Sequence, residues 1–486
     1  MKTTMNMKSL FIASLLCGFS MGTQAQTQYS IRCSGLADGV TGGVTYRSTN
    51  YRGSVTDDAL DREALLPMHV SGYNGSIESV DDATLTINVA YNQRYTSTSV
   101  LWNGNGDAAN TKVPAGRIPA MVKASNGDIL AFSDWRYSRD DVGRNMFHLG
   151  YQVDIEMRRS KDGGQTWSPA IIAADGDGSD VRQTAGYGDA SVMADAESGR
   201  VLLMCVNAES KNRFTRFVSE DYGETWSAPT NIAADIAPLA PGCVFFTSGK
   251  MVQSRDFKKQ GASHRRIYAP LCGGTADYVL YSDDFGMTWN RLGKTAAQTG
   301  TNNECRLVEL PNGDILVDSR AGSVRKINVF TFTNREDATG SWGEMDQDGS
   351  MPTVDCNGDI DLVEGYAAGA DQPTHILLQS LPRGGNNGGS RAHVQFYYKV
   401  LTDGHYTLDD LKGGWTPGLE VCAGKSAYSS IIHLEDGSEA ILYEKAHAEE
   451  ETGYNGNPWG YDITFSTHTL DAITNGEYFT ERQADK

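Results

Sequence analysis

Ser160-Lys-Asp162-Gly-Gly164-Gln-Thr-Trp167, Ser219-Glu-Asp221-Tyr-Gly223-Glu-Thr-Trp226 and Ser282-Asp-Asp284-Phe-Gly286-Met-Thr-Trp289 spell one pattern three times, Ser-x-Asp-x-Gly-x-Thr-Trp. The three copies start about 60 residues apart, longer than a solenoid repeat and suited to a four-stranded antiparallel sheet with generous loops. The residue types describe a hairpin turn. Ser and Asp side chains bond the turn backbone, Gly takes a left-handed position, and Trp packs between neighbouring sheets. Weaker echoes run from Thr333 to Trp342 and from Thr402 and Asp403 to Trp415, where the Ser and Asp positions have decayed.

The pattern resembles the Asp-box of β-propellers. From Leu101 to the end, at about 60–65 residues per repeat, the chain makes six blades. The sequence therefore predicts an all-β fold: a six-bladed β-propeller over residues 101–486, behind a small N-terminal β region over 26–100. That region lacks the box but contains Thr84-Leu-Thr-Ile-Asn-Val-Ala90, which alternates like a half-buried strand. Carbohydrate binding and a spacer role are both open to it. The box aspartates are read as devices of the fold. Because such boxes also occur in propellers that only bind, the repeats leave function open.

Composition narrows the field. The chain has 486 residues, of which 39% are hydrophobic and 21% charged, so it is neither disordered nor fibrous. Its 53 glycines and 22 tyrosines suit turn-rich β structure. The formal charge of −19 argues against nucleic acid or an anionic membrane as partner, and an anionic substrate would need a local cationic pocket. Residues 1–25 read as a secretory signal peptide: Lys2 and Lys8, the apolar run Ser9 to Ser20, then Thr23-Gln24-Ala25 as the cleavage region. Removing both lysines and no acid takes the charge from −19 to −21. Leu16 before Cys17 argues against a lipoprotein signal, and no other segment approaches the ~20 apolar residues of a membrane span. The expected location is secreted or periplasmic. Seven cysteines remain, Cys33, Cys205, Cys243, Cys272, Cys305, Cys356 and Cys422, with no CxxC spacing. They leave room for one or two bridges and make neither a zinc framework nor a disulfide scaffold.

A second set of signals lies on the strands between the boxes. In order they are Arg117-Ile118-Pro119, Arg136, Asn302-Asn-Glu304, a strand ending in Arg320, Arg391 ahead of Val394 to Lys399, and Ala427-Tyr428-Ser429. From Leu101 onward the chain resembles the exo-α-sialidase (neuraminidase) family, glycoside hydrolase family 33. The resemblance implies a retaining hydrolase that removes terminal sialic acids from glycoproteins, glycolipids or oligosaccharides and needs no metal or other cofactor. Residue by residue, Arg117, Arg320 and Arg391 match the triad that grips the substrate carboxylate. Three guanidiniums from three blades can converge on one funnel, and each binds carboxylate through parallel hydrogen bonds without losing its charge. Arg383 competes for the third place, and Arg391 is preferred because it leads directly into a strand. Tyr428 matches the nucleophile and Glu304 the base that activates it. A neutral phenol can approach an anomeric carbon that carries a carboxylate, where an anionic nucleophile would be repelled, and sialidases are a recorded tyrosine exception among retaining glycosidases.

The general acid falls on the loop after Arg136. Asp140 and Asp141 compete there, and the family's habit of placing a hydrophobic residue and Gly next favours Asp141. Arg136 and Asp189 match residues that bond the far side of the sugar, and Glu444 matches the carboxylate bracing the first triad arginine. Two departures stand out. Gly116 precedes Arg117 where the family usually has Phe or Tyr, and Val142 to Arg159 is long enough to reach over the pocket. Within the same chemistry, transfer of the sialyl group to another sugar or to its own hydroxyl is an alternative to hydrolysis, and a propeller that only binds sialoglycans is the alternative without turnover. His447, beside Glu449 to Glu451, reads as part of a solvated acidic stretch and not as a metal ligand. Asn103-Gly-Asn-Gly106 lacks the βαβ context of a dinucleotide site.

Overall fold

The computed structural model describes residues 27–36, 42–46, 49–51, 53–57, 65–67, 73–93, 98–103, 115–136, 153–176, 186–207, 214–274, 276–385, 391–447 and 461–481. The expected signal peptide lies outside them. The described chain is all-β, with three four-residue helices and no helix long and apolar enough to cross a membrane. It divides into two units. One comprises residues 1–96, 364–374 and 468–486; the other comprises 97–363 and 375–467. The sequence places its boundary near 100 and does not foresee the two later stretches grouped with the N-terminal unit.

In the first unit Thr27–Ser34 pairs antiparallel with Ser54–Asp57 and parallel with Thr86–Gln93, which continues to Tyr73–Asp81. Tyr29, Ile31, Val55, Ile87, Val89 and Tyr91 form its core. They alternate along their strands, as a sheet buried on one face requires. Tyr366 and Ala367 pair with Phe479 and Tyr478 in the later stretches.

The second unit is a succession of antiparallel meanders. The first is Ala115–Lys123, Ile129–Arg136, Val153–Ser160 and Ile171–Ala174; the second is Tyr187–Ala194, Val201–Asn207, Phe214–Ser219 and Thr230–Asn231. Ile267–Cys272, Tyr278–Ser282 and Asn290–Arg291 make a third with short inner pieces, and Cys305–Glu309 opens a fourth through Ile315–Ala321, Val324–Asn334 and Thr339–Trp342. Asp359–Ala367, Thr374–Pro382, Val394–Val400 and Thr416–Glu420 follow, of which Glu364–Ala367 and Thr374 are grouped with the first unit. The last meander, Ser426–His433, Glu439–Ala446 and Tyr461–His468, takes its outer strand from the other end of the chain, Ser99–Trp102. A single pair, Tyr461 with Gly116, joins that sheet to the first meander.

The three boxes fold alike. Ser160 Oγ accepts the Gly164 amide at 2.8 Å, while Asp162 accepts the Thr166 amide at 2.8 Å and its hydroxyl at 2.5 Å. Ser219, Asp221, Gly223 and Thr225 repeat this arrangement, as do Ser282, Asp284, Gly286 and Thr288. Gly286 sits at φ 76°, and a Cβ there would lie 2.4 Å from Leu202 of the preceding meander. Glycine therefore serves backbone conformation and close sheet packing together. Trp226 of the second meander meets Phe132 of the first edge-on at 6.0 Å, and Trp167 of the first meets Phe465 of the last at 5.0 Å. In the decayed copy Trp342 packs on Phe330 of its own meander and reaches the third through Nε1, which donates to the Leu292 carbonyl at 3.3 Å, while Asn334 caps the turn instead of a Ser and Asp pair. All seven cysteines among the described residues are free thiols, which corrects the allowance for one or two bridges.

Candidate active site

Three β-bulges set the geometry. Register shifts fall between Phe132 and Asp134 opposite Arg117, between Gly188 and Ser191, and between Ser426 and Ser429. Each adds a residue to an inner strand near the end that faces the site, and bulges of this kind re-aim side chains. They carry Ile118, Asp189 and Tyr428, and Asp134 lies across from the first, paired with Arg117. Ile118 and Asp189 both lie in the left-handed region, each at φ 56°. For Ile118, which is β-branched and precedes Pro119, that conformation is doubly disfavoured, so something outside the local sequence must hold it.

Glu444 is that holder. Fully buried, it accepts Arg117 Nε at 2.7 Å and the Ile118 amide at 2.8 Å through Oε1, and the Tyr428 amide at 3.2 Å through Oε2. One carboxylate thus ties the first arginine, its strained neighbour and the bulge that carries the tyrosine. Burial would lower the Arg117 pKa, but the Glu444 charge more than offsets this and keeps it above its ordinary value.

Tyr428 stands where the three expected arginines meet. Arg320 Nη1 donates to its hydroxyl at 3.0 Å, and the guanidiniums of Arg117 and Arg391 lie 5.8 and 5.2 Å from its ring centroid. Glu304, 6% exposed, accepts the Tyr428 hydroxyl at 3.0 Å and Arg320 Nη1 at 2.5 Å, both through Oε2. Burial and the adjacent Glu304 carboxylate raise the phenol pKa well above its usual value, against the pull of Arg320 and Arg391. The hydroxyl is therefore neutral at ordinary pH and needs a base to become a nucleophile. Glu304 is already bonded to it.

Arg383 is not brought to this cluster. It pairs with Glu420 at 2.9 Å on a partly exposed face, whereas Arg391 donates to the Asp355 carbonyl at 3.1 Å. Arg136 and Asp189 are buried and meet at Asp134, treated below. The general-acid candidates Asp140 and Asp141, and much of the long loop beyond them, lie outside the described residues. His447 bonds Asp462 at 3.0 Å. Gly116 is enclosed: a Cβ would lie 2.8 Å from Ile463 and 3.1 Å from Trp102, so the Phe or Tyr expected there has no room in this packing.

The sequence reading misses three residues here. Asp355 accepts Arg320 Nε at 2.7 Å and presents its carbonyl to Arg391, linking two arginines. Tyr461 lies under Arg117 at 5.1 Å. Neither carries a motif. The third, Asp134, could have been found, since Asp134-Trp-Arg136 puts acid and arginine two apart on one face of a strand.

Residues 151–365 match the BNR repeat-like domain family. A sialidase from Micromonospora viridifaciens is 28% identical over 384 residues, covering 74% of this chain and 54% of that protein. The chain spans 54% of that relative's length and 62% of that of a sialidase from Bacteroides fragilis (strain YCH46), 24% identical over 374 residues. Among solved structures, the Hadza microbial sialidase Hz136 superposes with a TM-score of 0.55 at 21% identity, covering 79% of this chain and 70% of that one. The intramolecular trans-sialidase from Ruminococcus gnavus gives 0.54 at 16% identity, covering 78% of this chain and 98% of that one.

Proposed function

We propose that this chain, a BNR-repeat protein related to the sialidases, is a retaining exo-α-sialidase that hydrolyses terminal sialic acids from glycoconjugates through a tyrosyl-enzyme intermediate. The observation that carries the reading is the Tyr428 hydroxyl held 3.0 Å from Glu304 and 3.0 Å from Arg320 within a set of three arginines. A six-bladed propeller is the architecture we infer, supported by six successive meanders among the described residues of the second unit, the last completed by Ser99–Trp102. Export after cleavage near Ala25 belongs to the same proposal and rests on the leader sequence alone.

In this reading the substrate carboxylate is gripped by Arg117, Arg320 and Arg391. The Tyr428 oxygen bonds to the anomeric carbon while Glu304 takes the phenolic proton, and the glycosidic bond breaks as an aspartic acid, Asp141, protonates the leaving oxygen. Glu304 is thereby neutralised beside Arg320. In the second step Glu304 turns from base to acid: the aspartate left by the first step deprotonates water, the water attacks the anomeric carbon, and Tyr428 departs as phenol with its proton returned from Glu304. Configuration is retained through two inversions. Arg136 and Asp189 hold the far side of the ring.

Tyr428→Phe, assayed on a fluorogenic sialoside, should lose turnover on the order of 10³-fold or more. Full wild-type turnover in that variant would overturn the assignment. Chromatography of the released sugar distinguishes hydrolysis from transfer: free sialic acid supports the hydrolase, and an anhydro sugar or a sialylated acceptor supports a transferase.

A further inference from the structure

The Glu444 arrangement occurs a second time, around a carboxylate with no assigned role. Asp134 is fully buried in Ile129–Arg136, at the bulge opposite Arg117. Its Oδ2 accepts Arg136 Nη2 at 2.9 Å and Nε at 3.3 Å, and its Oδ1 accepts the Asp189 amide at 2.9 Å. Asp189 is the left-handed residue of the neighbouring meander. Glu444 likewise takes an arginine, Arg117, together with the amide of a left-handed residue, Ile118. In both cases one buried carboxylate fixes a guanidinium and an otherwise disfavoured backbone turn.

We propose that Asp134 is a positioning residue that sets the two sugar-binding side chains Arg136 and Asp189 as one unit, on the premise that the sialidase reading is correct. Removing its charge changes both at once. Arg136 loses its ion pair with Asp134 in a buried setting, where breaking such a pair is costly and re-aims the guanidinium. The Asp189 amide loses the acceptor that anchors its turn, so the Asp189 carboxylate is re-aimed. Neither group takes part in bond making, so the effect falls on substrate binding.

Asp134→Asn is the informative variant, because the amide keeps the shape and one acceptor but turns donors toward Arg136. KM on a fluorogenic sialoside should rise roughly 10- to 100-fold, as expected for a displaced binding group, with kcat held within about 3-fold. A merely structural role would instead lower the active fraction, so kcat would fall at unchanged KM, and that result overturns the proposal. So does a variant with both constants unchanged. Should Asp134→Asn and Asp134→Glu both fail to fold while Arg136→Ala and Asp189→Ala fold normally, Asp134 is a support of the sheet and the proposal also fails. A crystal structure of Asp134→Asn decides the matter apart from turnover: Arg136 displaced and Asp189 out of the left-handed region supports positioning, and both unmoved overturns it. Wild-type protein that neither hydrolyses sialosides nor binds an unsaturated sialic acid analogue would sink the sialidase reading, with that crystal structure still deciding the geometry.

Discussion

The carboxylates of the outer turns and those behind the inner bulges solve opposite problems. Asp162, Asp221 and Asp284 bond a Thr four residues later, so each is satisfied by its own octapeptide. Their pKa values lie below the ordinary carboxylate value: for Asp221 and Asp284 burial pulls upward, and the bonds from Thr225 and Thr288 outweigh it. Glu444, Asp134 and Glu304 have partners 327, 55 and 124 residues away. Left-handed residues divide the same way. Tyr222 and Phe285 precede a turn glycine in a locally bonded loop, whereas Ile118 and Asp189 depend on a distant carboxylate. Turn carboxylates should therefore govern stability alone, and the inner ones catalysis or substrate binding.

Glu304→Gln tests that division with the largest effect. Without the base, kcat should fall on the order of 10²- to 10⁴-fold in steady-state assays. A variant within threefold of wild type would break the comparison at its strongest point.

The next effect concerns a buried carboxyl outside the bulges. Asp277 is inaccessible to solvent and accepts Thr299 Oγ1 and Ser319 Oγ, each at 2.7 Å, on one oxygen, while its other oxygen has no hydrogen-bond partner. Burial pushes its pKa up to about 7, against the bonds from Thr299 and Ser319. The folded protein holds a proton that the unfolded chain releases near pH 3.9, so stability falls as pH rises between the two values and is level above about 7. Asp277→Asn removes the titration. Urea unfolding from pH 4 to 8 should move in favour of the variant by about 4 kcal/mol, from the three-unit shift. A parallel pH dependence in both proteins would show that Asp277 is charged when folded.

What the sequence disclosed follows the same division. The boxes were legible because each is a closed set of bonds within eight residues, repeated three times, and their Trp residues announce packing between sheets. Arg117, Glu304, Arg320 and Tyr428 were legible only by resemblance, since no local rule joins residue 117 to 428. Asp355 and Tyr461 acquire their positions from strand order and the bulges, which leave no pattern in neighbouring residues. The free thiols were not readable either, because seven cysteines without spacing fit bridges as well as none.

Gly286→Ala weighs the turn itself. A side chain at φ 76° is strained, and its Cβ would press on Leu202, so the cost should be roughly 2–4 kcal/mol in denaturant unfolding. KM should be unchanged. A rise in KM would mean that the turns transmit to the inner bulges and would blur the distinction.

Asp221→Ala is the smallest effect and isolates one turn carboxylate. It removes the acceptor of the Thr225 amide and hydroxyl, both near solvent, so the loss should resemble that of an end-capping side chain, about 1 kcal/mol or roughly 2 °C in Tm. Its pH dependence should run opposite to that of Asp277. The folded pKa of Asp221 is depressed, so its contribution is present above the unfolded value and fades as pH falls through the folded one. The gap between wild type and Asp221→Ala should accordingly narrow on acidification below about pH 4, with kcat and KM unaltered at neutral pH. A gap that widens in acid would place Asp221 with the buried carboxyls and break the comparison from its weaker side.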